Sequence, residues 1–128
     1  MKKCYACFEE MIEMYLKVAD ELKDRLSSFK KEGIVVLDLD DGAGKYSKMG
    51  VCSLDTSFRL LVLSQDQDRS DYTLDIDSDV GEIPIKEYSK IYLDDQMSLE
   101  YDDRLALIKL KSPSGVIDGN VPIVDLRK

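Results

Sequence analysis

The chain has 128 residues, of which 26 are acidic and 18 basic, and its formal net charge at pH 7 is −8. The length suits one domain, and a composition with 44% hydrophobic and 34% charged residues is globular and not disordered. Histidine is absent, which excludes His-based acid–base catalysis, Ser-His-Asp and Cys-His nucleophile systems, and His-ligated metals. We therefore predict a single domain over residues 1–128, without enzymatic activity.

The apolar runs are too short for a membrane span. A spanning helix needs about 20 apolar residues, whereas the longest dense runs, 34–37 and 60–63, have the length of strands. Glu9 and Glu10 interrupt the first apolar stretch before a signal peptide could form. The odd number of cysteines argues against a disulfide framework. These features predict a cytoplasmic protein that does not interact with membranes.

Residues 4–30 have the apolar spacing of an α-helix. Residues at intervals of three and four are apolar: Phe8, Met11, Tyr15, Val18, Leu22, Leu26 and Phe29. This spacing predicts one amphipathic helix about 40 Å long, which ends at Gly33. Such a helix is longer than one small sheet requires. Part of its apolar face is therefore a candidate contact for a homodimer or a partner: Met11, Tyr15, Val18 and Leu22.

Residues 34–126 have the pattern of a β-sheet. The predicted strands are 34–37, a central strand at 58–63, 72–77, and an edge strand at 83–85 that contains Pro84. Residues 97–110 predict a hairpin, and Asp118-Gly119-Asn120 predicts a second one between 116–117 and 121–126. The fold class is therefore α+β, with the long helix packed on a mostly antiparallel sheet.

The first strand is followed by three carboxylates that are candidates for a metal site. Asp38, Asp40 and Asp41 come at the end of an apolar run, where carboxylates can converge on Mg²⁺. The pattern resembles the start of a haloacid dehalogenase motif, which implies metal-dependent phosphotransfer or hydrolysis. The resemblance covers one short motif, and Gly42 stands where Thr or Val is usual. A solvated strand end before a glycine turn accounts for the same residues.

Cys4 and Cys7 form a C-x-x-C pair, and Cys52 is the third cysteine. Three cysteines do not complete a four-ligand zinc site, and no histidine can supply the fourth ligand. The pair is accounted for by small residues in the first helical turn. We therefore predict no resident metal and no cofactor.

The excess negative charge is concentrated in residues 66–103, which hold 13 acids and 3 bases. A field of one sign attracts a partner of the opposite sign and repels nucleic acid. The predicted partner is therefore a basic protein surface. The candidate contact residues, several on one face of a predicted strand, are Asp71, Asp75, Asp77, Asp79, Glu82, Asp94 and Asp95.

The leading functional hypothesis is a non-enzymatic, acidic protein-binding module. Small acidic inhibitors carried by phages, anti-CRISPR proteins among them, and immunity proteins against nucleases share this size and charge. By that analogy the acidic face would mimic nucleic acid and engage a basic, nucleic-acid-handling protein. The alternatives are the metal-dependent site at Asp38, Asp40 and Asp41, and a structural homodimer or chaperone. An acidic surface that only maintains solubility would have the same charge layout.

Overall fold

The computed structural model describes residues 14–40 and 57–127 and is mostly β-structure. The elements are β1 (Tyr15–Val18), α1 (Asp20–Glu32), β2 (Ile34–Asp40), β3 (Ser57–Leu63), β4 (Leu74–Ser78), β5 (Ile83–Ile85), a 3₁₀ helix (Glu87–Tyr92), β6 (Gln96–Asp102), β7 (Leu107–Ser112), β8 (Gly115–Asp118) and β9 (Ile123–Asp125). The strands form one curled sheet in the order β8-β7-β6-β1-β4-β5-β2-β3-β9. Neither helix in these two ranges has the length and apolarity of a membrane span.

The prediction of one long N-terminal helix is wrong. Residues 15–18 form strand β1, which pairs in parallel with β4 on one side and with β6 on the other. Leu16 and Val18 are buried and Lys17 is exposed, which is the period-two pattern of a strand. The helical interpretation arose because Tyr15, Val18 and Leu22 also fall at intervals of three and four. Hydrogen bonds from two distant strands decide the conformation, and these override local periodicity.

The structure places the described residues of the predicted contact face on two different elements. Tyr15 and Val18 belong to β1, Leu22 is fully buried in α1, and Met11 lies outside the described residues. The part of residues 4–30 that precedes Met14 is also outside them. Val18 and Leu22 pack in the main hydrophobic core, so they are unavailable for a dimer contact.

Helix α1 is short, and the sequence predicts its end correctly. Asp20 and Glu21 lie in its first turn and Lys30 and Lys31 in its last, an arrangement that favours the helix dipole. Gly33 follows the last helical residue, and its backbone is extended, not left-handed. A Cβ atom at Gly33 would collide with the carbonyl oxygen of Leu63 on β3. Glycine is therefore needed here for close approach of two backbones.

The sheet is mixed, so the prediction of a mostly antiparallel sheet is also wrong. Among the described strands, four of the eight pairings are parallel. Strand β3 is second from one edge instead of central, and β5 lies inside the sheet in spite of Pro84. Strand β5 has three residues and a single register pair with β2, Leu37 with Ile85. Pro84 has no backbone N–H to donate, but because β5 pairs so briefly with β2, this missing donor removes little of the pairing.

One of the two predicted hairpins is present. Strands β6 and β7 pair antiparallel from Ser98 with Lys111 to Asp102 with Leu107. The second prediction is wrong, because β8 pairs with β7 across the turn between Ser112 and Gly115. Strand β9 instead pairs in parallel with β3 near the opposite edge of the sheet.

The two faces of the sheet are covered differently. The face under α1 carries the main core, which includes Leu22 and Leu26 of the helix. The opposite face of β2 and β3 carries a smaller cluster, Val36, Leu61, Leu63 and Tyr72. Alternation along β2 places Asp38 on that second face, beside Val36. The charged site described next lies there.

Candidate functional site

A fully buried carboxylate, Asp38, lies near the end of β2. A buried charge is costly unless it is paired and hydrogen-bonded. Three side chains supply these contacts. Arg59 Nε donates to Asp38 Oδ2 at 2.8 Å, the Tyr72 hydroxyl donates to Oδ1 at 2.8 Å, and Lys86 Nζ lies 3.1 Å from Oδ1.

The partners come from three separate segments of the chain. Arg59 is on β3, directly opposite Asp38 in the β2–β3 ladder. Tyr72 precedes β4, and Lys86 follows β5, which neighbours β2. Lys86 Nζ also donates to the carbonyl oxygen of Leu39 at 2.9 Å. The cluster therefore joins three neighbouring parts of the sheet at one point.

Electrostatics favours the charged form of Lys86 and the neutral form of Tyr72. Burial alone lowers the pKa of Lys86, but the interactions with Asp38 and Tyr88 together outweigh burial, so the pKa is raised. The pKa of Tyr72 is also raised, first by burial and then by the negative charge of Asp38. At neutral pH Lys86 is therefore an ammonium and Tyr72 an intact phenol. The second contact of Arg59, to Asp40 at 3.6 Å, adds another negative charge.

These contacts bear on the candidate metal site at Asp38, Asp40 and Asp41. Both carboxylate oxygens of Asp38 already accept protein hydrogen bonds. Asp40 pairs with Arg59, and Asp41 lies outside the described residues. Residues 14–40 and 57–127 contain no group of three side chains suited to a metal ion. The geometry is that of a satisfied ionic cluster that joins strands.

Sequence analysis missed the three partners of Asp38. Lys86 was counted among the bases of the acidic stretch, whereas it is buried. The available signal was the position of Asp38 within a run of buried apolar residues, because an aspartate there requires a cationic partner.

The predicted acidic contact residues do not form one free face. Asp75 and Asp77 are exposed on β4 on either side of the buried Ile76. Asp79 instead binds β1: its carboxylate accepts hydrogen bonds from the Tyr15 hydroxyl at 2.5 Å and the Val18 amide at 2.9 Å. The hydrogen bond from Tyr15, followed by that from Val18, lowers the pKa of Asp79. Asp79 is therefore a structural residue.

The other acidic candidates are dispersed. Asp94 accepts a hydrogen bond from Ser114 Oγ at 2.9 Å, which lowers its pKa and links the end of the 3₁₀ helix to the β7–β8 turn. Glu82 and Asp95 are exposed, and Asp71 is half-buried. The ammonium of Lys30 lies beside Glu82, to whose carbonyl oxygen it donates at 2.7 Å. This cation reduces the local negative potential.

A groove lined by both apolar and polar residues is the second feature of interest. It lies between the 3₁₀ helix and the β7–β8 turn and has a volume of about 310 Å³. Ile91, Tyr92 and Val116 line it and remain exposed, and Phe58 and Ile117 contribute further apolar surface. Nothing in the sequence pattern distinguished these residues, because they come from separate elements.

Comparison with known proteins identifies the family. The family described as "Iron-sulphur cluster biosynthesis" matches residues 11–125. The chain belongs to this family, because the match spans most of its length and includes α1 and all nine described strands. None of the curated proteins is similar enough to match the chain.

Two solved structures are similar over nearly the whole chain. A protein from Lactobacillus salivarius, provisionally assigned to Fe-S biosynthesis and described as having a novel fold, is 36% identical. The similarity covers 90% of this chain and 100% of that one, with a TM-score of 0.80. A protein from Lactobacillus acidophilus with the same provisional assignment is 26% identical, covers 88% of this chain and 90% of its own, and has a TM-score of 0.60.

The family overturns the hypothesis of a nucleic-acid-mimicking inhibitor. Neither an anti-CRISPR protein nor a nuclease-immunity protein is among these relatives, whereas both similar structures carry the Fe-S assignment. Net charge and size led to the wrong class because they report solubility and electrostatic steering, not the fold or the pathway.

The described residues do not fit an iron–sulphur cluster. Cysteine thiolates hold such clusters, and none of residues 14–40 and 57–127 is a cysteine. Cys4, Cys7 and Cys52 lie outside these ranges. Any thiolate ligand from this chain would therefore be one of those three residues.

Proposed function

We propose that this protein acts in iron–sulphur cluster biosynthesis as a carrier, which binds iron or a cluster as cargo without catalysing a reaction. The observation that carries the proposal is the family match over residues 11–125. The 36% identity to the Lactobacillus salivarius protein over 90% of the chain supports it.

Two observations support a binding role over an enzymatic one. The chain has no histidine, the residue that serves most often as a general acid or base. Asp38, the most buried carboxylate of the residues that the structure describes, is held by three protein donors and has a structural role. We place the carrier in the cytoplasm, in keeping with the short apolar runs and the odd number of cysteines.

The cargo would depend on a small set of side chains. Cys4, Cys7 and Cys52 are the chain's complete set of thiols. Clusters of the common types take four cysteine ligands, so one chain supplies at most three. The remaining ligand would come from a recipient protein, a second chain or a small thiol. An incomplete ligand set suits a cargo that is handed on.

Anaerobic reconstitution with ferrous iron and sulfide tests this proposal. The protein is desalted, and iron, acid-labile sulfide and visible absorption are measured per chain. We expect bound iron and sulfide in the wild type, loss of both in the variant C4S/C7S/C52S, and partial loss in C52S alone. A wild type that retains no more iron than the cysteine-free variant would overturn the carrier role. Circular dichroism of each variant serves as the folding control.

A carrier also needs a surface that recognises its recipient. We propose the exposed pair Asp75 and Asp77 on β4 as part of that surface, with a basic protein as partner. The test compares co-purification by D75N/D77N with that by D66N/D103N, which removes the same charge from other exposed positions. Loss of one basic protein with the first variant alone, at low salt, is the expected result. Equal capture by both variants would exclude this surface.

A further inference from the structure

A small pocket lies between α1, the β6–β7 hairpin and the segment that leads into β9. Its volume is about 260 Å³, and it shares no lining residue with the groove described above. The lining consists of Arg25, Tyr101, Ala106, Ile108, Asn120, Val121, Pro122 and Ile123. All of them lie within 14–40 and 57–127, and none adjoins a residue outside these ranges. The pocket is therefore formed by described residues alone.

One wall of the pocket is apolar and held in place by the sheet. Ile108 and Val121 are buried, and Ile123 is half-buried. The backbone amide of Val121 donates to the carbonyl oxygen of Ile108 at 2.8 Å, which fixes the segment before β9 against β7. Ile123 pairs with Leu60 in the ladder between β9 and β3. Because backbone pairing positions this wall, its shape does not depend on a ligand.

Three polar side chains belong to the same lining. Arg25 carries a guanidinium, Tyr101 a hydroxyl and Asn120 a carboxamide, and all three can donate hydrogen bonds. None of these side chains makes a hydrogen bond or an ion pair within the part of the chain that the structure describes. The backbone amide of Asn120 donates to Asp118 Oδ1 at 2.9 Å, which orders the residue without using its side chain. Their donors are therefore available to a bound molecule.

The charge of the lining contrasts with that of the whole protein. The chain has a net charge of −8, yet Arg25 is the one charged residue in the lining, and none of the described residues there is acidic. A guanidinium binds a carboxylate or a phosphate through two parallel hydrogen bonds. One cation balances one negative charge, and the negative field of the chain opposes an anion of higher charge. A monocarboxylate therefore fits the pocket better than a phosphate.

We propose that this pocket binds a small organic monocarboxylate. Its carboxylate would pair with Arg25 and accept hydrogen bonds from Tyr101 and Asn120, and its apolar tail would contact Ile108 and Val121. The volume corresponds to about eight water molecules, so the ligand would have about six to eight non-hydrogen atoms. The inference is independent of the proposed carrier role, because this site requires neither iron nor a thiol.

Titration of the isotope-labelled full chain with sodium butyrate, followed by NMR, tests the proposal. The experiment is done without iron at constant ionic strength, and butyramide is the neutral control ligand of equal size. We expect saturable shifts of the amide signals of Ile108, Val121 and Ile123, with a Kd on the order of 1 mM for so small a ligand. Butyramide should bind at least about tenfold more weakly, because it lacks the negative charge that pairs with Arg25.

Two variants with the same loss of charge locate the site. R25Q removes the guanidinium from the pocket and should weaken butyrate binding at least about tenfold. R69Q removes an exposed arginine outside the pocket and should leave the affinity unchanged. R25K keeps the charge but not the planar fork, so its affinity should lie between those of the wild type and R25Q. Because Arg25 is exposed on α1, these variants should fold, and circular dichroism verifies this.

Each outcome bears on the proposal. Binding that is tighter for butyrate than for butyramide, weakened in R25Q and kept in R69Q, supports it. The absence of a saturable shift in the wild type well above the expected Kd would overturn it, whether the pocket then holds water or another part of the chain. Equal affinities of wild type and R25Q would also contradict it, because the carboxylate would then bind elsewhere. Equal affinities for butyrate and butyramide would show that the pocket does not recognise the charge.

Discussion

Lys86 Nζ lies 3.1 Å from Asp38 Oδ1 inside the protein, with 4% of the Lys86 side chain and none of the Asp38 side chain exposed. The two residues belong to neighbouring parts of the sheet, since Ile85 pairs with Leu37. Their contact and those of Arg59 and Tyr72 form one ionic cluster. The pairing offsets the desolvation of each charge, so removal of one member takes away part of the compensation on which the others depend.

Substitution of Asp38 is therefore expected to be strongly destabilising. D38N removes the negative charge that faces the buried Lys86 and the partly buried Arg59, and it should lower the free energy of unfolding by about 3–5 kcal/mol. Urea denaturation measures this change. The control is D75N, an exposed carboxylate on β4, which should change stability by less than about 0.5 kcal/mol. A loss in D38N as small as in D75N would contradict the role of the cluster.

Tyr72 should make the stability of the protein depend on pH in the alkaline range. Its pKa is raised above the ordinary value of 10.0, so the phenol keeps its proton in the folded state when the unfolded chain loses it. The resulting stabilisation is present below pH 10.0 and decreases as the pH rises above it. Y72F removes a hydrogen bond to a carboxylate and should cost about 1.5–3 kcal/mol at neutral pH.

The measurement for Tyr72 is a series of urea unfolding curves from pH 8 to pH 11. The wild type should lose stability more steeply than Y72F above pH 10.0, so the difference between them narrows. Y92F, at a half-exposed tyrosine, is the matched control and should follow the wild type. Parallel curves for wild type and Y72F would show that the Asp38 contact is absent in solution.

Asp79 should make the stability of the protein depend on pH in the acidic range. The Tyr15 hydroxyl and the Val18 amide lower its pKa from the ordinary value of 3.8. Its stabilising effect is therefore present above pH 3.8 and is lost as the pH falls through the lowered pKa. The Tm of D79N should be below that of the wild type at pH 7, and the difference should shrink below pH 3.8. D77N, an exposed neighbour on the same strand, is the control, and a Tm difference independent of pH would contradict the prediction.

Gly33 should not tolerate a side chain. In G33A the added Cβ meets the carbonyl oxygen of Leu63, so two adjacent backbones must separate. Overpacking of this kind costs about 1–3 kcal/mol. G119A is the matched control, because a Cβ there meets nothing within 4 Å. Equal stability of the two variants, measured by thermal unfolding, would show that β3 can move away from Gly33.

Sequence patterns predicted the elements whose determinants are local. The β6–β7 hairpin has alternating apolar residues on both strands and a short turn, and strand β2 begins with four consecutive apolar residues. The end of α1 before Gly33 could also be predicted, because the glycine that marks it is a local signal. Strand β1 was not predicted, because its four residues fit the apolar stripe of a helix equally well and its pairing partners are distant in sequence. The position of β5 inside the sheet depends on long-range pairing that no local pattern contains.

For a related reason, the candidate site could be predicted only in part from the sequence. Asp38 could be identified as unusual because it interrupts a buried strand. Arg59 and Tyr72 are 21 and 34 residues away in sequence, and no spacing rule connects them to it. The acidic residues are concentrated in one stretch of the sequence, but in the fold they do not form one acidic surface. Asp79 and Asp94 use their charges to hold β1 and the β7–β8 turn.

The position of β1 determines when the protein can complete its fold. Tyr15 pairs with Asp77 on one side and with Gln96 on the other, so the earliest of the described strands in the sequence lies inside the sheet. The β2–β3 ladder can form as soon as Leu63 leaves the ribosome, whereas β1 must wait for β6. Contacts of such long range slow folding, because the chain entropy is lost before the pairing is gained. A nascent chain that ends before β6 would expose Leu16 and Val18, and it would be a natural substrate for chaperones.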